Sequence, residues 1–323
     1  MGRTRRSRLR MPVAALITLV AGAALAVPAP SEAAVTAPTT TGYSLLLGIG
    51  GVYNFGTRFL GVPSDLNPDN CAPSPLPGRA PQPFGTCQAM ASTPDGNGYW
   101  IMNSVTGAIF SFGNAHDFGS PQAKFADVSP EFRPVMKQIV STADGKGYWV
   151  YEIGASDTGT IDHFGDAGFF GDTTTLAVHS QTGFNGRPVG IAATADGKGY
   201  WEVHSDGGVF AFGDARFVGS MAARPLAAPI VSIVATATGK GYWLVASDGG
   251  VFAFGDARFV GSMAGRPHAP IIGMARNPAG SGYWLAGVDG GVFAFGGAAF
   301  LGSLAVARVP IYAIVAKTGP TAP

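Results

Sequence analysis

Apolar residues fill nearly every position of the short segments that lie between the glycine-rich turns of this chain. In Val251–Gly255 (VFAFG), Phe252 and Phe254 point to one face of a strand, and Val251 and Ala253 point to the other. Such segments are rich in Val, Ile, Phe, Tyr and Trp, which favour strands, and they show no helical period. The pattern therefore predicts an all-β protein whose sheets are covered on both faces.

These segments belong to a unit that recurs along the chain. The stretch Gly241–Met263 (GYWLVASDGGVFAFGDARFVGSM) returns almost letter for letter at Gly199–Met221 and, more changed, at Gly282–Leu304. Repetition at a near-constant step indicates one structural unit that is used several times. A Gly-Tyr pair marks six units, whose tyrosines are 56, 49, 52, 42 and 41 residues apart: Tyr43, Tyr99, Tyr148, Tyr200, Tyr242 and Tyr283.

Each unit is predicted to form four strands. In one unit these strands, here named a to d, are Pro229–Ala237, Tyr242–Ser247, Val251–Gly255 and Arg258–Met263. The Asp-Gly and Gly-Gly pairs between them favour tight hairpin turns. A ring of such sheets, each covered by both neighbours, is a β-propeller, and the length of the unit is typical of a propeller blade.

The two ends of the chain supply complementary parts of one unit. Residues 310–319 form a strand a without the other three, and the first unit begins at residue 42 with strand b. We therefore predict a single domain over residues 42–319, a six-bladed β-propeller of four-stranded blades. The C-terminal strand would close the ring by pairing in the N-terminal blade. The alternative, an open solenoid of the same units, would leave two half-blades with unpaired edges.

Residues 1–34 are predicted to be a secretory signal peptide. Five arginines within residues 1–10 precede an apolar run that ends near Val27, and small residues follow it. The run is shorter than the roughly 20 apolar residues that span a bilayer. General secretory export, twin-arginine export and an uncleaved anchor all stay open. Residues 35–41 would be a linker and 320–323 a tail, and the protein would be secreted, extracellular or associated with the cell wall.

Composition narrows the classes of partner and compartment. Without residues 1–34 the chain has 16 basic and 19 acidic residues, and it contains no Lys/Arg cluster, so a nucleic-acid partner is not expected. No membrane insertion is expected after signal cleavage, and a monomer is expected. The two cysteines, Cys71 and Cys87, are predicted to form a disulfide in an oxidising compartment; free thiols are the alternative.

The repeat resembles that of secreted actinobacterial proteins with the pattern GYW…SDGGVFAFGDAxFxGS, and the resemblance covers essentially residues 42–319. It implies a secreted scaffold without one shared activity, because such repeats are found alone or appended to various secreted enzymes. More distantly, the architecture is similar to that of other propellers, among them the sialidases. However, Ser205–Gly208 does not match the sialidase-type Asp-box pattern Ser-x-Asp-x-Gly-x-Thr-Trp.

Departures from the repeat are the candidate functional residues on the strands. Strand b carries Glu202 where other units have Leu, Ile or Val, and it carries His204, Glu152 and Asn103 where others have Ala, Gly or Leu. Glu202 and His204 are two residues apart, so they share a face and could form an acid/base pair or part of a polar pocket. The structural alternative is a buried Glu–His pair whose partners are satisfied.

Insertions in the first three units are the candidate binding surface. Residues 62–85, 120–135 and 172–187 all extend the connection from strand d to the next strand a, which places them on one face of the ring. Binding residues often lie on loops that a rigid scaffold positions, although loops also tolerate neutral insertion. Besides the strand residues, the candidates are Phe125, Phe132, His179, Phe184 and Arg187.

The sequence thus favours a secreted, non-catalytic binding module for a cell-envelope glycan or a secreted protein. The alternative is a secreted glycan hydrolase or lyase that uses Glu202, His204 and Glu152, and a purely structural coat protein is a third possibility. No cofactor and no metal are expected, because the histidines are scattered without metal-ligand spacing and the repeated Asp residues lie in turns.

Overall fold

Each Gly-Tyr segment forms the central strand of a three-stranded antiparallel sheet. The structure is a computed structural model that describes residues 41–71, 86–129, 132–154, 157–176, 186–222, 224–304 and 310–318. The predicted signal peptide, most of the linker and the tail lie outside these residues. The central strands are β1 (Thr41–Leu47), β4 (Gly98–Asn103), β7 (Gly147–Ile153), β10 (Gly199–His204), β13 (Gly241–Ala246) and β16 (Gly282–Gly287).

A short connection joins each central strand to the third strand of its sheet, and this connection is longer in sheet 3. The third strands are β2 (Val52–Phe55), β5 (Ile109–Gly113), β8 (Gly159–Gly165), β11 (Val209–Gly213), β14 (Val251–Gly255) and β17 (Val292–Gly296). The first strands are β3 (Cys87–Ser92), β6 (Val135–Ser141), β9 (Pro188–Ala193), β12 (Ile230–Ala235), β15 (Ile271–Arg276) and β18 (Ile311–Thr318). We number the sheets 1 to 6 in the order of their central strands.

Sheet 1 takes its first strand from the C-terminus, as predicted. β18 pairs antiparallel with β1, with Thr41 opposite Thr318 and Leu46 opposite Ala313. The first strand of each sheet contacts the first strand of the next, and β18 in turn contacts β3. These six strands line a common cavity with a volume of about 610 Å³.

The prediction of four-stranded blades was wrong, because each sheet has three strands. Segment d does not pair with strand c. Instead, Trp243 donates a hydrogen bond to the carbonyl of Arg258 in its own unit, and the Tyr283 hydroxyl of the next unit donates to the carbonyl of Gly261. The Tyr283 hydroxyl also accepts a bond from the Val260 amide. These side chains satisfy the backbone groups that a strand ladder would otherwise satisfy.

The same two contacts recur in the other sheets and explain the Tyr-Trp signature. The hydroxyl of each signature tyrosine bonds a glycine carbonyl in segment d of the preceding sheet, and each tryptophan bonds segment d of its own sheet. Tyr43 makes this contact with Gly302, so sheet 6 is joined to sheet 1 in the same way as the other neighbours. The central strands are buried on both faces, as the apolar pattern predicts.

Among the described residues, short helical segments lie in the insertions of sheets 1 and 2. They are an α-helical turn (Pro63–Leu66) and two 3-10 turns (Pro68–Cys71 and Pro121–Phe125). No helix among the described residues is both long and apolar enough to span a bilayer.

Candidate functional site

The polar departures on the central strands all lie where two neighbouring sheets meet. The signature tyrosine and the residues two and four positions after it share one face of the central strand, and that face packs on the preceding sheet. Tyr200, for example, bonds Gly171 of sheet 3, and Glu202 contacts Tyr151 and Thr173 of the same sheet. The departures therefore lie in contacts between sheets and not on an open surface.

Glu202 and His204 form a closed cluster between sheets 3 and 4. Glu202 is 0% exposed, and its Oε1 accepts bonds of 2.7 Å each from the hydroxyls of Tyr151 and Thr173. Its Oε2 accepts a 3.0 Å bond from the Thr173 amide. His204 Nε2 lies 3.3 Å from Glu202 Oε1. Glu202 and His204 are thus brought together in a buried pair, and both oxygens of the Glu202 carboxylate accept hydrogen bonds.

Surrounding groups leave little space at this cluster. A side chain at Gly159 would collide with the Tyr151 hydroxyl and with Glu202, so glycine is required there. Burial, reinforced by the Glu202 carboxylate, raises the pKa of Tyr151 and keeps its hydroxyl a donor. The cluster therefore holds the two sheets together through hydrogen bonds.

Glu152 occupies a different setting between sheets 2 and 3. Its carboxylate is buried, and Oε2 lies 3.9 Å from Lys124 Nζ, which forms a 2.8 Å ion pair with Asp162. Its Oε1 has no hydrogen-bond partner within the described part of the chain. Burial, together with the charge and hydrogen bond of Asp162, raises the pKa of Glu152 to about 8, and Lys124 only partly offsets this. The Glu152 carboxyl therefore stays protonated well above the usual titration range of a glutamate.

Asn103 is the third departure and holds the first insertion. Its Nδ2 donates to the carbonyl of Asn70 at 2.9 Å and to the Thr86 hydroxyl at 2.8 Å, while its Oδ1 accepts bonds from the turn that follows β4. The predicted disulfide between Cys71 and Cys87 is confirmed, and both cysteines are buried beside this site.

Three of the four departures share one kind of contact. Asn103, Glu152 and Glu202 each contact the insertion that follows the preceding sheet: Asn103 bonds Asn70, Glu152 approaches Lys124, and Glu202 bonds Thr173. The polar residues and the insertions are therefore one coupled feature, in which the strand residue anchors the start of the inserted segment.

Several partners in these clusters were missed at the level of sequence. Tyr151 stands where the next unit has Val203, and Asp162 stands where it has Phe210. Both are departures from the repeat and could have been found by extending the same comparison to every strand position. Thr173 stands where the next unit has Met221 and could have been found in the same way, whereas Lys124 lies inside an insertion, where the repeat offers no position for comparison.

The remaining candidates differ in exposure. Phe125 is 8% exposed and packs in the core between sheets 2 and 3, whereas Phe132 is 73% exposed. Arg187 lies on the surface, and its Nε is 3.2 Å from Asp157 in the long turn of sheet 3. This ion pair joins the two elaborated connections of sheet 3. The candidates His179 and Phe184 lie outside the described residues.

The repeated aspartates serve the turns. Asp206, Asp248 and Asp289 each accept a hydrogen bond from the amide two residues later, which stabilises the turn between central and third strands. Across the described residues, no group of three or more His, Cys, Asp or Glu side chains is arranged to hold a metal ion.

Comparison with known proteins assigns no family to the chain. No family model matches it, and no curated protein matches it. Its function is therefore argued from the geometry of the three anchored insertions.

Proposed function

We propose that the six sheets close into a six-bladed propeller. The pairing of β18 with β1, the contact of Tyr43 with Gly302, and a cavity lined by all six first strands support closure. An open solenoid would leave the first and last sheets without these contacts. The closed ring places all three insertions on one face, because strands alternate in direction and the connections concerned leave the same end of each sheet.

We further propose that the protein is a secreted, non-catalytic binding module that recognises a cell-envelope glycan or a secreted protein. Its binding surface would be the loop face of sheets 1 to 3. The observation that carries the proposal is the anchoring of each insertion by a buried polar residue of the next sheet. Anchored loops are preorganised, so that less conformational entropy is lost when a ligand binds. The buried disulfide adds to this order and suits an exported protein.

Exposed side chains on the loop face supply the recognition chemistry. Phe132 offers an aromatic face for a sugar ring or an apolar protein side chain, and Arg187 offers a planar cation next to Asp157. Aromatic and arginine side chains often contribute a large share of the binding free energy of an interface. Because the polar residues below them are buried, we assign the contact with ligand to the insertions and the anchoring to the strands.

Binding of the mature chain to isolated cell envelopes and to purified envelope glycans tests this proposal. Phe132→Ala should weaken binding at least tenfold without changing stability. Phe259→Ala is the matched control, because Phe259 is also exposed (58%) but belongs to the unelaborated sheet 5. Arg187→Ala and its control Arg258→Ala form a second pair. Equal affinity in all four variants would exclude the loop face.

A second candidate function is favoured by Glu152. A buried carboxyl whose pKa is raised to about 8 can act as a general acid near neutral pH. In this alternative, Glu152 would donate the proton that glycan hydrolysis requires. Turnover of an envelope glycan that is lost in Glu152→Gln, while binding is kept, would establish the enzyme and overturn the non-catalytic module.

A further inference from the structure

The common cavity carries an arrangement of charge that neither the loops nor the polar clusters use. Its wall consists of the first strands of all six sheets and is made mostly of Ala, Val, Ile, Met and Gly. Two cationic residues line it, Lys137 on β6 and Arg276 on β15. No Asp or Glu is among the lining residues within the described chain.

A β-bulge in every first strand shapes one end of this cavity. The pairing register skips one residue near the start of each first strand, and the skipped residue lines the cavity. A bulge bends the strand and redirects a side chain. The six bulge residues are Gln88, Lys137, Val189, Val231, Ile272 and Tyr312.

The two cations stand at opposite ends of the cavity. Lys137 belongs to the ring of bulge residues, whereas Arg276 is four residues farther along its own strand than the equivalent Ile272. Four residues of a strand correspond to about 13 Å. Lys137 lies on sheet 3 and Arg276 on sheet 6, which are three sheets apart in the ring order. The cations therefore lie near the two ends of the cavity.

Neither cation is neutralised by the protein. No ion pair and no side-chain hydrogen bond of Lys137 or Arg276 occurs among the described residues. The surrounding walls lower the pKa of both groups by removing water from the charged forms. Lys137 is exposed and Arg276 is half-buried, so an acidic group that enters the cavity can pair with either cation.

We propose that the common cavity binds an elongated organic anion with a carboxylate or phosphate at each end. Lys137 holds one acidic group as a point charge, and Arg276 holds the other through its planar guanidinium. The apolar middle of the ligand lies against the aliphatic wall, where Val189 and Ile272 contribute. This site is separate from the loop face, so a test of binding in the cavity does not depend on whether the loop face recognises a glycan.

Calorimetric titration of the mature protein with dodecanedioate and with dodecane-1,12-diyl bisphosphate tests the inference. At least one dianion should bind, and the two probes distinguish a carboxylate ligand from a phosphate ligand. Lys137→Gln and Arg276→Gln should each weaken binding at least tenfold, and the double variant should abolish it. Arg258→Gln, which removes an exposed cation outside the cavity, should leave the affinity unchanged.

Two further measurements separate binding from folding. Thermal unfolding of Lys137→Gln without ligand should show an unchanged or higher Tm, because an uncompensated cation has been removed. The neutral analogue 1,12-dodecanediol should bind at least tenfold more weakly than the dianion. Absence of binding by both dianions, equal affinity for the diol, or unchanged affinity in the double variant would overturn the inference.

Discussion

Replacing Glu152 by Gln should make the protein more stable at neutral and alkaline pH. The carboxyl is buried between sheets 2 and 3, its pKa is raised from 4.5 to about 8, and one of its oxygens has no partner in the described residues. Glutamine keeps the shape of the side chain but cannot ionise. The variant therefore removes the titration and leaves the packing nearly intact.

The sign of the effect follows from proton binding in the two states. Below pH 4.5 the carboxyl is protonated in both states, and above about pH 8 it is ionised in both. Between these values the folded protein holds a proton that the unfolded chain has released. Raising the pH therefore favours unfolding, and the free energy of unfolding of the wild-type protein falls across this window.

The magnitude is bounded by the size of the pKa shift. Each pKa unit corresponds to 1.36 kcal/mol, so ionisation of the unfolded chain at pH 7 is worth about 3 kcal/mol at most. Movement of Lys124, whose ammonium is 53% exposed, towards Glu152 would reduce this value. We expect Glu152→Gln to gain about 1–3 kcal/mol relative to wild type between pH 5 and pH 8.

Urea unfolding at pH 5, 6, 7 and 8 provides the assay. Asp127→Asn is the control for loss of one negative charge, because Asp127 is an exposed residue of the insertion that carries Lys124. The difference between wild type and Glu152→Gln should grow steadily with pH. Two results would refute the assignment of a proton to Glu152 in the folded protein: a stability difference that is constant across this pH range, or a variant that becomes less stable relative to wild type as the pH rises.

Two other predictions concern contacts that recur or close the fold. Tyr283→Phe removes the hydroxyl that bonds Val260 and Gly261; we expect a loss of about 1–2 kcal/mol in urea unfolding and faster hydrogen exchange at the Val260 amide. Replacing Cys71 and Cys87 together by Ala should cost about 2–4 kcal/mol, whereas reduction of an alanine variant should have no further effect on its Tm.

Much of the fold could be predicted because the repeated units can be aligned with one another within the single sequence. The doubly apolar strand Val251–Gly255 and the Asp-Gly turns gave the correct strands, and the incomplete units at the termini gave the pairing of β18 with β1. Segment d was misassigned because Arg258–Met263 has the composition of a strand. The backbone carbonyls of this segment accept hydrogen bonds from tyrosine and tryptophan side chains. The local sequence pattern does not determine whether such side chains or a neighbouring strand will be the partners.

The candidate site was predictable only in part, for a related reason. Comparison of the units identified Glu202 and Glu152, because in each case an acidic residue replaces an apolar residue at an equivalent position of the repeat. Whether each acid is satisfied depends on the neighbouring sheet. Glu202 meets two hydroxyls and an amide, whereas Glu152 meets a second carboxylate and a lysine shared with it. Such contacts cross between sheets that are far apart in sequence.

The binding role is assigned to the insertions because Glu202 is assigned a structural role, so the role of Glu202 needs a direct test. Replacement by Leu restores the residue type of the repeat but leaves the Tyr151 hydroxyl and the Thr173 amide buried without a partner. The equivalent positions between sheets 4 and 5 are all apolar: Val203, Leu244 and Met221. A triple variant, Glu202→Leu with Tyr151→Val and Thr173→Met, therefore copies a packing arrangement that this protein already contains.

The free energy of unfolding of these two variants is the most direct test. If Glu202 anchors the insertion, Glu202→Leu alone should lose about 3 kcal/mol, and the triple variant should recover at least about 2 kcal/mol of that loss. If Glu202→Leu is instead as stable as wild type, or more stable, the carboxylate is a strained functional group and the structural assignment is contradicted.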